Sequence, residues 1–242
     1  MSKINGSIDR RNFIHLLGLG GVGLGAIASG SLVWDIKEAL ADSIETNSAD
    51  LTPDTALARL LDGNKRFVQQ KLKHPHQSKS RLGEVATAQH PFATILSCAD
   101  SRVPPEILFD EGIGDIFDVR LAGNIVTPEA LGSIEYSAIL LGTPLLMVLG
   151  HERCGAVTAA VKGEQVPGAI SSFVKSIEPA LKSAKKNPSG DPVEDAVVAN
   201  VKYQVDRLRK TSELLVQREQ EGKLKIVGAR YDLDKGEVTI IS

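Results

Sequence analysis

Residues 144–157 read PLLMVLGHERCGAV. Leu145 to Leu149 are apolar without a break, and Pro144 and Gly150 bound the run. A strand with one wet face alternates apolar and polar. A short continuous run reads instead as a strand buried on both faces, which belongs to a parallel sheet covered by helices. His151 and Cys154 come just past its end, and a helix is expected from about Arg153 to Val161.

Working outward, the same pattern recurs upstream. FATILSC (92–98) is a second compact apolar run, and Cys98 stands at its end. IFDVR (116–120) reads as a short strand. PEALGSIEYSAILLG (128–142) begins with proline and carries Leu131, Ile134, Ile139 and Leu140, so it reads as a helix leading into the strand at 144–150. Thr52 and Pro53 form a helix start, followed by the stripe Leu57, Leu60, Leu61, Asn64, Phe67 and Val68. KLKHPHQSKS (71–80) reads as a loop in which His74 and His76 are solvated rather than metal-binding. Asp191-Pro192-Val193-Glu194 opens one long helix whose stripe runs from Val193 to Leu215 and which Gly222 ends. LKIVGARY and EVTIIS are the last strands, joined by a hairpin through DLDKG. Strands alternating with helices give an α/β class, with a mainly parallel β-sheet core flanked by helices and a C-terminal antiparallel strand.

The N-terminus obeys different rules. Arg10-Arg11 precede an apolar, glycine-rich stretch from Phe13 to Val33 and then Ala39-Leu40-Ala41. This order of basic, apolar and small-residue segments is that of an export signal. The Arg pair with Asn12-Phe13-Ile14 resembles a twin-arginine signal. The expected division is a signal peptide at 1–41, a polar linker at 42–52 and one domain at 53–242, delivered to a periplasm or thylakoid lumen. A retained membrane anchor is the alternative, since about 20 residues span a bilayer. Gly18, Gly20 and Gly23 match a dinucleotide-binding glycine pattern. No strand precedes them, so that reading fails.

The 242 residues carry a net charge of −2, with 42 % apolar and 24 % charged residues. That balance gives no argument for nucleic acid or an anionic membrane as partner. The chain has two cysteines, Cys98 and Cys154. In an exported protein that count alone suggests one disulfide. Position suggests another use. In an open parallel sheet the ligand crevice lies at the carboxyl ends of the strands, where the topology switches direction. Cys98, His151 and Cys154 can meet there as a Cys₂His metal set, which leaves zinc an open fourth position and so marks a catalytic site. Cys–His nucleophilic catalysis would leave the second cysteine unexplained. Asp100 and Arg102 complete the group in CADSR. A bidentate Arg102 pair would keep the Asp100 carboxylate from closing the open position and leave it to orient the reacting water.

CADSR (98–102) and GHERCG (150–155) together resemble the β-class carbonic anhydrases. The likeness extends through LLDGNKRF, RLAGNIV, GSIEYSAILLG and GARYDLDKGEV. It implies a carbonate dehydratase, a zinc lyase that hydrates CO₂ reversibly to bicarbonate and a proton by zinc-bound hydroxide. It further implies Cys98, His151 and Cys154 as Zn²⁺ ligands and Asp100 with Arg102 as the catalytic dyad. Gln89, Phe117, Ala122, Tyr136 and Gly155 would bind substrate, with Tyr136 reaching across a dimer interface. A homodimer or dimer of dimers is implied, its N-terminal helix embracing the partner. Ala122 stands where many members have valine, which makes the pocket roomier and sets hydrolysis of carbonyl sulfide or carbon disulfide beside CO₂ hydration. A non-catalytic exported zinc-binding protein is the third reading. Ile95 replaces the tryptophan of bicarbonate-regulated members, although Arg120 matches part of that pattern. His90 is the nearest histidine in sequence for proton transfer.

Overall fold

The structure is a computed structural model that describes residues 51–163, 165–184 and 189–242. The proposed signal peptide and nearly all of the linker lie outside the described residues. The elements run α1 (Pro53–Val68), α2 (Lys79–Glu84), β1 (Ala93–Ser97), α3 (Pro105–Leu108), β2 (Ile116–Arg120), α4 (Pro128–Glu135), a π-helical turn (Tyr136–Leu140), β3 (Leu145–His151), α5 (Gly155–Lys162), α6 (Ile170–Ala184), α7 (Pro192–Thr211), α8 (Glu213–Gln220), β4 (Lys225–Tyr231) and β5 (Val238–Ile240). The strands form one sheet in the order β2-β1-β3-β4-β5. β1, β2, β3 and β4 pair in parallel, and β5 is antiparallel to β4.

Alternate side chains of the continuous apolar runs go to opposite cores. Ile95, Met147, Leu149 and Val227 pack with Ala56 and Leu60 of α1 on one face. Leu96, Leu146, Val148 and Ile226 pack with Ile134 of α4, Val201, Val205 and Leu208 of α7 and Leu215 of α8 on the other. Burial on both faces explains why the strands carry no polar alternation. A Cβ on Gly150 would come within 2.5 Å of Val201 Cγ2, so glycine is what lets α7 approach the end of β3.

The helix starts follow capping chemistry. Thr52 Oγ1 accepts from Thr55 N, Thr127 Oγ1 from Ala130 N, and Asp191 Oδ1 from Val193 N and Glu194 N, each ahead of a proline at the first helical position.

Four expectations are corrected. The single helix from Asp191 to Gly222 is two helices broken at Ser212, which adopts φ −130° and whose hydroxyl accepts from Leu215 N to start α8. Serine competes for backbone donors and so caps a helix more readily than it continues one. The helix expected from Arg153 begins at Gly155, because Arg153 adopts φ +49°. α6 had no counterpart in the reading. Val174, Ile177 and Ala180 form its buried stripe, and Pro179 lies within it. The loop at 71–80 gives way to α2 at Lys79, capped by Ser78. No helix among the described residues is long and apolar enough to cross a membrane.

Candidate metal centre

The chain leaves β1 toward β2 on one side and leaves β3 toward β4 on the other. The switch point therefore lies between the carboxyl ends of β1 and β3. Ser97 is in register with Leu149, so Cys98 follows the end of β1 beside Gly150, which is still within β3. His151 is the last residue of β3, which runs one position beyond the end expected at Gly150, and Cys154 is the capping residue of α5. All three candidate ligands are buried.

The ligand atoms of Cys98, His151 and Cys154 lie within 4.8 Å of one another. The two Sγ atoms are 4.0 Å apart and both cysteines are free. A disulfide needs about 2.05 Å between its sulfurs. Two thiolates at the usual zinc–sulfur distance of about 2.3 Å in a tetrahedron stand roughly 3.8 Å apart. The observed spacing thus fits a metal edge and not a bond. The imidazole supports the same conclusion. His151 Nδ1–H donates to the Glu152 carbonyl at 2.8 Å, while Nε2 is fully buried with no hydrogen-bond partner among the described residues. A histidine that spends one nitrogen on a carbonyl presents the lone pair of the other, which is the usual preparation of a metal ligand.

Electrostatics agree with the donor set. The hydrogen bond from the Cys154 thiol holds Cys98 down to about 4, against burial, which pushes it up. The Gly123 N–H, 3.3 Å from Cys98 Sγ, adds to the lowering. Cys154 is pushed up, first by its hydrogen bond with Cys98 and then by burial, against the N–H groups of Val157 and Ala156 at the start of α5. Of the two, Cys98 is the sulfur whose thiolate the surroundings favour, and a thiolate is the form that binds a metal.

Asp100 and Arg102 stand beside this group. Arg102 Nε and Nη2 donate to Asp100 Oδ1 and Oδ2 at 2.9 and 2.8 Å, and the Arg102 N–H donates to Oδ1 at 2.9 Å. Hydrogen bonding from the guanidinium holds the Asp100 carboxyl well below the usual range, against burial. Asp100 Oδ2 is 3.7 Å from His151 Nε2. The carboxylate thus faces the three ligands but is tied back by arginine.

Gly155, at the first position of α5, is exposed, and Ala122 is half-buried. Phe117 and Tyr136 form a pair of their own by the edge strand β2, with ring centroids 6.2 Å apart, and Tyr136 is 44 % exposed. Gln89 is exposed in the single chain. His76 is not free in solvent: its Nδ1 pairs with the buried Asp115 at 2.7 Å.

Three supports escaped sequence reasoning. Arg120 donates to the carbonyls of Cys98 and Asp100, clamping the loop that carries both. The side chain of Glu152, whose own carbonyl receives His151, accepts from Leu233 N at 3.0 Å and pairs with Arg230, which also pairs with Glu194. The Gly123 N–H belongs to RLAGNIV, where only the glycine hinted at a special backbone.

Residues 93–238 match the family model described as carbonic anhydrase. Carbonic anhydrase 2 of Mycobacterium tuberculosis is 38 % identical over 192 residues, covering 78 % of this chain and 92 % of the relative. Carbonic anhydrase of Mycolicibacterium smegmatis is 38 % identical over 194 residues, covering 78 % and 94 %. Among solved structures, the β-carbonic anhydrase of Coccomyxa in complex with acetazolamide superposes with a TM-score of 0.60 at 26 % identity, over 76 % of this chain and 86 % of that one. A tetrameric β-carbonic anhydrase of Sordaria macrospora shares the fold, with a TM-score of 0.63 at 20 % identity over 77 % and 96 %.

Proposed function

The chain belongs to the β-class carbonic anhydrases, enzymes that interconvert CO₂ and bicarbonate, and from that membership we propose that Cys98, His151 and Cys154 hold a catalytic zinc ion. The observation that carries the assignment is the convergence of two free sulfurs and an unpartnered imidazole nitrogen at the switch point of the sheet. Held by these three side chains, zinc would supply a Lewis acid that eases loss of a proton from water near neutral pH.

The remaining steps belong to the chain's own residues. Arg102 saturates Asp100 from the outer side and keeps the carboxylate from becoming a fourth ligand. Asp100, held ionised, accepts the O–H of the reacting water and aims its lone pair at CO₂. Ala122, packed with Cys98 and Cys154, supplies apolar wall, and the N–H of Gly155 meets the negative oxygen that develops as bicarbonate forms, at the positive end of α5. No observation favours carbonyl sulfide hydrolysis, carbon disulfide hydrolysis or a non-catalytic role.

The outer edge of β2, unpaired among the described residues, together with exposed Tyr136 and Leu140, supports a homodimer or dimer of dimers in which Tyr136 and Gln89 serve the neighbouring site. The tetramer of the Sordaria relative points the same way. The Arg10-Arg11 segment supports twin-arginine export to a periplasm or thylakoid lumen. The test of the zinc assignment is metal content beside CO₂ hydration. Wild type is expected to carry one zinc per chain, and Cys154→Ser to lose metal and activity together. Full zinc retention in that variant would overturn the ligand set.

A further inference from the structure

We infer that Asn200 and Gln204, on α7, are positioning residues for the metal centre and act through the loop 121–126. Both side chains are fully buried and stand one turn apart, so they share a helix face. They form a chain of hydrogen bonds into the loop. Asn200 Nδ2 donates to the Gly123 carbonyl at 2.9 Å. Gln204 Nε2 donates to Asn200 Oδ1 at 3.0 Å, and Gln204 Oε1 accepts from Val126 N at 3.0 Å. The Gly123 residue they hold by its carbonyl is the one whose N–H donates to Cys98 Sγ at 3.3 Å.

The loop needs such a hold. Gly123 and Asn124 are successive residues with positive φ, +75° and +45°. Glycine and asparagine can adopt this conformation but are not confined to it, so contacts from outside the loop must select it. A Cβ at Gly123 would lie 2.7 Å from Ile177 Cδ1, so no side chain can do the work from within the loop. The amide pair on α7 does it from outside. An N–H aimed at a thiolate draws charge from the sulfur and fixes its direction, so releasing the Gly123 peptide changes how strongly Cys98 binds a cation.

The inference rests on Cys98 being a metal ligand, and its test separates the two claims. Asn200→Ser and Gln204→Met are compared with Val205→Ala, a buried truncation on the same helix that faces the other core. Each full-length protein is loaded with cobalt, and zinc affinity is read by competition with a chromophoric chelator. Both amide variants are expected to bind zinc about 10–100-fold more weakly and to shift the sulfur-to-cobalt charge-transfer band. Val205→Ala is expected to lose stability with neither change. Amide variants that behave as Val205→Ala does would overturn the inference. A wild-type arm needs no variant. In protein loaded with ¹¹³Cd, the Gly123 amide proton should couple to the metal, and the Asn200 side-chain amide should exchange more slowly than in the apo protein. Absence of either signature also overturns it. Wild type that shows no sulfur-to-cobalt band at all would instead overturn the ligand assignment.

Discussion

Asn64→Ala is expected to be among the costliest single truncations outside the metal centre. Asn64 sits in the stripe of α1 and is 4 % exposed. Its Nδ2 donates to the Leu108 and Gly236 carbonyls at 3.1 and 2.9 Å, and its Oδ1 accepts from Val238 N at 2.9 Å. One side chain therefore joins α1 to the end of α3 and to the β4–β5 hairpin. Alanine strands three buried backbone groups at once. A stranded buried group costs about 1–3 kcal/mol. The vacated space is polar and can admit a water, which offsets part of the loss. The lower end of the range then applies, and the expected loss over three groups is about 3–4 kcal/mol. A domain of this size shifts its melting temperature by about 2–4 °C per kcal/mol, so Tm should fall by roughly 6–16 °C. Urea unfolding at fixed protein concentration, with wild type alongside, measures the free energy directly. Zinc content of the folded fraction should stay unchanged, since Asn64 touches no candidate ligand. A loss below about 1 kcal/mol with an unchanged urea slope would refute the reasoning, because three stranded groups cannot cost so little.

Arg102→Ala should retain zinc while CO₂ hydration falls about 10–100-fold, as expected when a group that orients the site is removed. Spectra of the cobalt-substituted variant should show carboxylate in place of water, and near-normal turnover at neutral pH would remove the dyad from the mechanism. Metal-free protein treated with a mild oxidant should form one intramolecular Cys98–Cys154 disulfide, since the sulfurs are only 4.0 Å apart, whereas zinc-loaded protein should resist. Mass spectrometry after thiol alkylation reads the outcome, and equal oxidation of both forms would argue against metal on the sulfurs. Arg10→Lys with Arg11→Lys should trap active, zinc-bound precursor in the cytoplasm, because the twin-arginine route carries folded proteins. Fractionation with an antibody and a zinc assay checks this, and export as efficient as wild type would favour a general secretion route with metal loading outside.

The sheet was readable because its central strands β1 and β3 are buried on both faces. Five consecutive apolar residues before His151 admit few other interpretations. The ligands were readable because each stands where such a strand ends, and Asp100 with Arg102 because two positions separate them. What escaped reading depends on long-range partners. Asn64 was read as a member of the α1 stripe, but nothing local marked its three bonds, two of them more than 170 positions away. Asn200 and Gln204 carry no local signal, since an amide on a helix face is usually solvated. The break at Ser212 is decided by tertiary contact as well as by capping: its hydroxyl also donates to Glu135 Oε1 at 2.5 Å, an interaction no local pattern encodes. α6 was not read from the sequence; the burial of Val174, Ile177 and Ala180 holds it and outweighs the local cost of Pro179 within it.

The central claim is that two cysteines and one histidine hold the zinc. X-ray absorption at the zinc edge of full-length wild-type protein tests it most directly. The account predicts two sulfur neighbours at about 2.3 Å and one imidazole nitrogen at about 2.0 Å, with a fourth light atom completing the shell. A zinc shell without sulfur would contradict it.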